Sequence, residues 1–403
     1  MFKFLKIIIF LILVDSVAFC QQNNSEAQQF SNIKKTILQN IDQQSKSTAT
    51  QNTTKLKTVE SRLNKNKTSV SKNNASSSTN NSNLSEMSER VELLELRHKL
   101  LEEIEWSTFE ANVQTAVINL FAMDKQLKPL QLFDQTRIAF TQIGELSNLM
   151  DYPGYKEWFQ YFSQYVSSNK NKESILGIVQ TILNSAGAAS GKLSLAGPMV
   201  QPVLSAIGMF IGSLGSGKAE LKKKSEEMFL ITTKAAQIRY DLQGVEAEWK
   251  SISEEMQLQK TIFTQNVDYV LQTLKLDKND YLSRFYKSND PTKVMNYYES
   301  VKTTTSQYLK NIKETGSHEW KNQIGYQLDE VQDLKISFGT LLHRISENLE
   351  KYEEVLKKYN NDPQLGIKTV NLNKSIQDLK NSFESNFSAS EYINEARRMY
   401  KIY

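Results

Sequence analysis

Histidine, proline and cysteine are scarce in this 403-residue chain, which has 3 His, 6 Pro and 1 Cys. One cysteine excludes a disulfide framework and any cysteine-rich metal or cluster site. His98, His318 and His343 lie far apart, so no local spacing supports a histidine-based metal site. Fifteen glycines and six prolines are too few turn residues for an all-β protein of many short strands. A mean hydropathy of −0.49 excludes a polytopic membrane protein, while leaving room for one or two insertable segments. No basic excess marks the body of the chain, as the charge distribution shows.

Residues 1–20 read as a secretory signal peptide. Lys3 and Lys6 form the charged start, and Ile7–Val14 is an apolar run too short for a spanning helix. Ala18-Phe19-Cys20 is a small-x-small site, so cleavage before Gln21 is expected and the protein is expected to be secreted. The alternatives are a surface-tethered lipoprotein carrying lipid on Cys20, against which the bulky Phe19 argues, or a periplasmic protein. Residues 21–85 are rich in Asn, Ser, Gln, Thr and Lys, with stretches such as NKNKTSVSKNN and ASSSTNNSN. That composition buries too little apolar surface to offset chain entropy, which predicts a disordered tail with a weak amphipathic turn at Phe30, Ile33, Ile37 and Ile41. Within 21–85, Lys/Arg at 34, 35, 46, 55, 57, 62, 65, 67 and 72 face acids at 26, 42 and 60, an excess of +6. Residues 1–20 add +1, so with a formal total of +4 the remaining 86–403 carry −3. The basic balance belongs to the tail, and nucleic acid is not an expected partner.

From Ser85 the periods are helical. Ser85 and Ser88 offer caps before a stripe of Leu93, Leu96, Leu100 and Ile104, continued by Phe109, Val113, Val117, Leu120 and Leu127 up to Pro129. A second helix is expected over about 130–150, ended by Tyr152-Pro153-Gly154, and an aromatic helix follows with Trp158, Phe159, Tyr161, Phe162 and Tyr165. Two later seams step by 4 and 3. One runs Ile238, Leu242, Val245, Trp249, Ile252, Met256, Phe263, Val270 and Leu274, with Gln259 and Asn266 at seam positions that suit register control. The other runs Ile324, Leu328, Val331, Phe338, Leu342, Ile345, Leu349, Tyr352, Leu356 and Tyr359, interrupted by Lys335. Asp290-Pro291 separates them, Asp362-Pro363 ends the second, and a helix over about 372–401 is expected to close an antiparallel bundle.

Residues 174–217 stand apart. They hold one charge, Lys192, and eight of the fifteen glycines, with Lys170, Lys172 and Glu173 before and Lys218, Glu220 and Lys222-Lys223-Lys224 after. The length fits two arms, about 174–190 and 199–217, joined by a turn near Gly191–Pro198. The apolar candidates for membrane insertion are Ile175, Ile178, Val179, Ile182 and Leu183 on the first arm, and Val203, Leu204, Ile207, Phe210, Ile211 and Leu214 on the second. Gln180 and Asn184 lie on the opposite stripe of the first arm and are candidate pore-lining residues. The pairs Gly187/Gly191 and Gly208/Gly212 allow close helix contact in lipid. Such a hairpin can also be the permanent buried centre of a bundle, giving an exported scaffold or interaction protein. Lysines at both open ends, and a glycine load costing about 0.5–1 kcal/mol per residue in a water-soluble helix, favour membrane contact.

This order of features, a secreted chain with long helices, the hairpin at 174–217 and the seams from Ile238 and Ile324, resembles the ClyA-type α-helical pore-forming toxins, including the haemolysin BL and non-haemolytic enterotoxin components. The resemblance covers roughly residues 86–403; the tail at 21–85 departs from it. It implies a hairpin tucked against the bundle in a soluble form, then released into a lipid membrane as copies of the chain, or a related toxin component, assemble into a pore. The expected fold class is therefore all-α, an elongated bundle of long antiparallel helices. The expected parts are 1–20 signal peptide, 21–85 tail, 86–173 first helical part, 174–217 hairpin and 218–403 second helical part.

Other chemistry finds little support. Gly212–Lys218 matches seven places of a phosphate-binding loop, but Ala219 stands where a Mg²⁺-binding Ser or Thr is required and no strand precedes it. His98 reads as a solvated helix residue and His343 as packed or capped beside the second seam. Glu102-Glu103 and Glu353-Glu354 read as helix-surface charge. No Ser/His/Asp spacing stands out. No enzyme activity, cofactor, metal or small-molecule substrate is expected.

Overall fold

The computed structural model describes residues 2–73, 80–140, 152, 154–168, 173, 175, 177, 207–212, 214, 218–315 and 320–399. Of 2–28, 66–73, 80–84, 86, 132, 135, 136, 138–140, 320–328 and 395–399 it describes the backbone alone. Among these residues the fold is all-α, as the periods require. The helices are α1 Phe2–Asn73, α2 Asn80–Phe140, α3 Tyr155–Ser168, α4 Ala219–Thr273, α5 Pro291–Thr315, α6 Trp320–Lys357, α7 Gly366–Asn386 and α8 Ala389–Met399, with a π-helical turn Tyr281–Tyr286 before α5. Two compact units are formed. The first takes in Met1–Ser16, Leu130–Gln257 and Leu341–Ser388, the second Val17–Pro129, Leu258–Thr340 and Ala389–Tyr403.

Helix boundaries follow local chemistry. Pro291 opens α5 at a place where its missing N–H costs nothing, and Asp290 Oδ1 accepts the Thr292 N–H at 2.9 Å. After α4, Lys275 takes a left-handed φ of 55° and the Leu276 N–H reaches back to the Leu271 carbonyl at 2.8 Å, which closes the helix end without a glycine. Between α6 and α7, Asp362 accepts the backbone N–H groups of Gln364 and Leu365 at 2.9 and 3.0 Å and pairs with Lys234 at 2.7 Å. A Cβ at Gly366 would stand 2.5 Å from the Asn360 carbonyl oxygen, so this turn needs glycine.

In the first unit α4 and α6 run antiparallel. Tyr359 donates to Asp241 at 2.6 Å, Asn348 Nδ2 to the Val245 carbonyl at 3.0 Å, and Arg344 meets Glu255. The seam residues Ile238, Leu242, Trp249, Ile252 and Met256 on α4, and Leu342, Ile345, Leu349, Tyr352 and Leu356 on α6, are all buried. The end of α2 adds a polar patch. Asp134 accepts from Trp249 Nε1 at 2.7 Å, and Arg137 lies 4.0 Å over the Trp249 ring and donates to Tyr352 Oη at 3.1 Å. Burial pushes the Arg137 guanidinium pKa below its ordinary value.

In the second unit Phe121, Tyr281, Phe285, Tyr297 and Tyr298 form an aromatic cluster, with Phe285 4.9 Å from Tyr298 and Phe121 5.1 Å from Tyr281. It is pinned by polar bonds. Tyr281 donates to buried Asp124, and Lys125 Nζ donates to the Phe285 and Ser288 carbonyls at 2.7 Å each, satisfying the end of the π-helical turn. Burial raises the Asp124 pKa, against the lowering effect of the Tyr281 bond.

Several expectations are corrected. α1 runs on to Asn73 and, over 29–65, buries a few side chains in the second unit while most stay exposed. Ile37 and Ile41 are buried, Val59 clusters with Leu93 and Leu100 of α2, and Lys34 is buried in an ion pair with Glu391 at 2.8 Å. Average polarity hid a sparse helical stripe, which α2 completes. The expected signal peptide falls in the part of α1 where only backbone is described, and 74–79 lie outside the described residues. Pro129 does not end a helix: α2 continues through it to Phe140, and the cost of an internal proline, about 3 kcal/mol, is offset by burial of Leu127 and Leu130 on either side. Of the first stripe Leu96 is exposed while Leu93 and Leu100 are buried. The first seam passes through Val267 and Leu271 rather than Val270, and Asn266 bonds its own helix at the Ile262 carbonyl, 3.1 Å, so it sets no register. Lys335 does not interrupt the second seam by facing water; it is buried. The closing helix is two, α7 and α8. His343 is neither packed nor capped: its side chain is exposed and lies 3.3 Å from Glu347.

Candidate functional site

The described ends of 174–217 meet in the first unit. Helix α3 is amphipathic, turning Trp158, Phe162 and Tyr165 inward and leaving Phe159 and Tyr161 exposed. The start of α4 offers Leu221, Ser225, Met228, Phe229 and Thr232, spaced to lie along one helix face and all buried. Trp158 joins the two helices by donating from Nε1 to Ser225 Oγ at 3.0 Å, so its one polar atom is satisfied inside the core. Outside, Lys224 pairs with Glu157 at 2.5 Å.

Phe210 enters this wall. Its ring lies 6.0 Å from Phe162 and 5.4 Å from Phe229, edge-on to the latter at 88°. Trp158 stacks on Phe162 at 5.2 Å and meets Phe229 edge-on at 6.1 Å. Ile175 and Leu214 are buried in the same cluster, and Ile207 and Ile211 are partly buried against it. Residues 207–212 form one helical segment with two faces. Ile207, Phe210 and Ile211 turn inward; Gly208, Met209 and Gly212 turn outward and are exposed, with Met209 at 60 %. The outward face of this segment carries no polar side chain.

Of the residues expected to enter a membrane, Ile175, Ile207, Phe210, Ile211 and Leu214 are thus brought together. Ile178, Val179, Ile182, Leu183, Val203 and Leu204, the pore-lining candidates Gln180 and Asn184, and Gly187 and Gly191 lie outside the described residues. A Cβ added at Gly208 or Gly212 would meet nothing within 4 Å among the described residues, so this pair makes no close helix contact here. Trp158, Ser225 and Phe229 were not joined to the segment by sequence reasoning. The aromatic period of α3 was visible, but Lys222-Lys223-Lys224 disguised the apolar face beginning at Leu221.

Among the described residues no helix is long and apolar enough to cross a membrane. Nor does any group of three or more His, Cys, Asp and Glu among them stand where it could hold a metal ion. A polar groove of about 440 Å³ in the second unit is lined by Asn52, Glu103, Trp106, Ser107, Gln114 and Ser306, among others. Its polar groups are largely engaged with one another: Asn52 donates to Glu103 at 3.2 Å and Gln114 to Ser306 at 2.7 Å. Comparison with protein-family models, with curated proteins and with solved structures finds no match for this chain.

Proposed function

We propose that this is a secreted, non-enzymatic helical protein that inserts residues 174–217 into a target membrane, acting with further copies or a related component as a pore-forming toxin. One observation carries the reading: a helical segment docked by Phe210 whose water-facing side is Gly208, Met209 and Gly212. A permanent surface helix would place charged or polar residues there. A segment that must also face lipid cannot.

The mechanism is a population shift between a docked and an inserted state. Undocking exposes Ile175, Phe210 and Leu214, at about 1.5–3 kcal/mol each in water. Lipid returns that cost, because acyl chains solvate the same side chains. Lys192, the one charge in the segment, sits at the expected turn, so it is the group that has to cross; at a helix centre such a charge costs roughly 2.5–3.5 kcal/mol. Lys218 and Lys222–Lys224 remain at the open end, where their stems can reach an interface.

A second reading, an exported scaffold with the segment as permanent core, draws on the same Phe210, which is completely buried. Met209→Asp separates the two, since residue 209 is exposed in the docked state and lies mid-arm in the inserted one. The expected outcome is dye release from liposomes by the wild-type chain, lost in the variant, with both showing the same circular dichroism and melting temperature. Absence of release by the wild type rejects insertion in favour of the scaffold.

A further inference from the structure

The amino-terminal half of α2 carries two apolar stripes, and among the described residues only one is packed in a hydrophobic cluster. Leu93 and Leu100 face α1, clustering with Val59, Leu56 and Leu63. Roughly a third of a turn around the helix stand Met87, Val91, Leu94 and Leu101, exposed by 66, 52, 48 and 40 %. Their spacing is 4, 3 and 7, the step of a coiled-coil seam, with exposed His98 filling the place between Leu94 and Leu101. In heptad terms Val91 and His98 are at a, and Met87, Leu94 and Leu101 at d. Single exposed apolar residues need no explanation, but four in register on one face do.

We infer that this face is a self-association surface, on which a second copy of the chain docks its own α2 as a parallel two-stranded coiled coil. Three features choose the occupant. A β-branched residue at a with leucine at d favours two parallel strands. The flanking charges are sorted by side: Arg90 and Arg97 at g, Glu95 and Glu102 at e. In a parallel pair each g residue faces the partner's e residue five places on, so Arg90 meets the partner's Glu95 and Arg97 the partner's Glu102, on both sides of the seam. An antiparallel pair would set Arg against Arg and Glu against Glu. His98 is the polar residue at an a position, which fixes register at some cost in strength. Current partners do not compete strongly. Arg97 reaches Glu60 at 3.4 Å and His98 lies 3.9 Å from Glu102, both between exposed side chains, where such pairs contribute little. The seam is short, so the dimer is weak and concentration-dependent. It does not rest on membrane insertion and survives if that reading fails.

Sedimentation velocity on the full chain over about 1–100 µM tests it. The expected result is reversible dimerisation, weakened at least about tenfold by Leu94→Lys with Leu101→Lys, with circular dichroism unchanged because both positions are exposed. A charge exchange gives the specificity. Arg90→Glu with Arg97→Glu, and separately Glu95→Lys with Glu102→Lys, each abolish self-association, and mixing the two variants restores a heterodimer. Leu94→Cys in a Cys20→Ser background forms an interchain disulfide on oxidation if the pairing is parallel and in register. A chain that stays monomeric, a dimer indifferent to these changes, or a Leu94→Cys chain that is shielded and never crosslinks, as when another segment of the same chain covers the face, overturns the inference.

Discussion

The aromatic clusters of the two units are made of the same kinds of side chain and are held differently. In the second unit, Tyr281 is bonded to buried Asp124, and Lys125 grips the carbonyls that end the π-helical turn. Removing the Tyr281 ring there leaves buried Asp124 without its donor. Around Phe210 in the first unit, the contacts are ring edges and aliphatic carbons, and the bond from Trp158 to Ser225 lies in the wall, not on the incoming segment. Among the described contacts, Phe210 is held by rings and aliphatic carbons rather than by a buried polar bond. Apolar contacts are non-directional and are re-formed in any apolar medium, whereas buried polar bonds fix one geometry. One cluster is a lock and the other a seat.

The largest test of this contrast removes the wall of the seat. Trp158→Ala should destabilise the first unit by about 3–5 kcal/mol, through cavity formation and the loss of Ser225's partner. Hydrogen exchange should show the loss over residues 155–168 and 219–245, with 281–301 protected as before; an equal loss in both would erase the distinction. Next in size is the lock. Asp124→Ala leaves the Tyr281 hydroxyl buried without an acceptor, at about 1–3 kcal/mol, and the drop in protection should fall on the π-helical turn and α5.

Acid sharpens the comparison with a smaller effect. In the first unit, the Lys224 partner lowers the Glu157 pKa, and Lys351 and Asn348 lower that of Glu248. For Asp362, burial raises the pKa but Lys234 and two backbone N–H groups bring it below its ordinary value. Stability from such groups is present above the unfolded pKa and is lost as pH falls through the folded one. Burial raises Glu246 in the same unit and opposes the trend, although its side chain is 42 % exposed, which limits its weight. In the second unit Asp124 is raised, so its contribution is complete below the unfolded pKa and declines as pH rises through the folded value. Lowering the pH from 7 to below about 4 should therefore loosen the first unit before the second. Exchange measured at both pH values checks the order, and Asp124→Asn should remove the opposing slope.

Much of this was legible in the residues. The 4-3 spacing from Ile238 placed the α4 seam, and Asp290-Pro291 placed the start of α5, because period and capping are local. Other features depended on partners distant in sequence. The stripe of Ile37, Ile41 and Val59 is too sparse to be seen in a polar segment until Leu93 and Leu100 are set beside it. Pro129 reads as a helix end when burial on both sides is unknown. Lys335 looks like a break in a seam, yet it is buried. Charge depletion marked 174–217, but it could not name Trp158 and Phe229 as the surface that receives it.

The antiparallel bonds between α4 and α6 have a consequence in time. Asp241 waits for Tyr359, 118 residues later, and Val245 for Asn348, 103 residues later. At about 5–20 residues per second of synthesis, the seam from Ile238 is finished on the order of ten seconds before its partner emerges. Helix formation takes microseconds, so α4 exists for that interval with the part of its apolar side that α6 covers still open. A nascent chain stalled before residue 341 is then the species most exposed to aggregation and the one on which a holding chaperone would act.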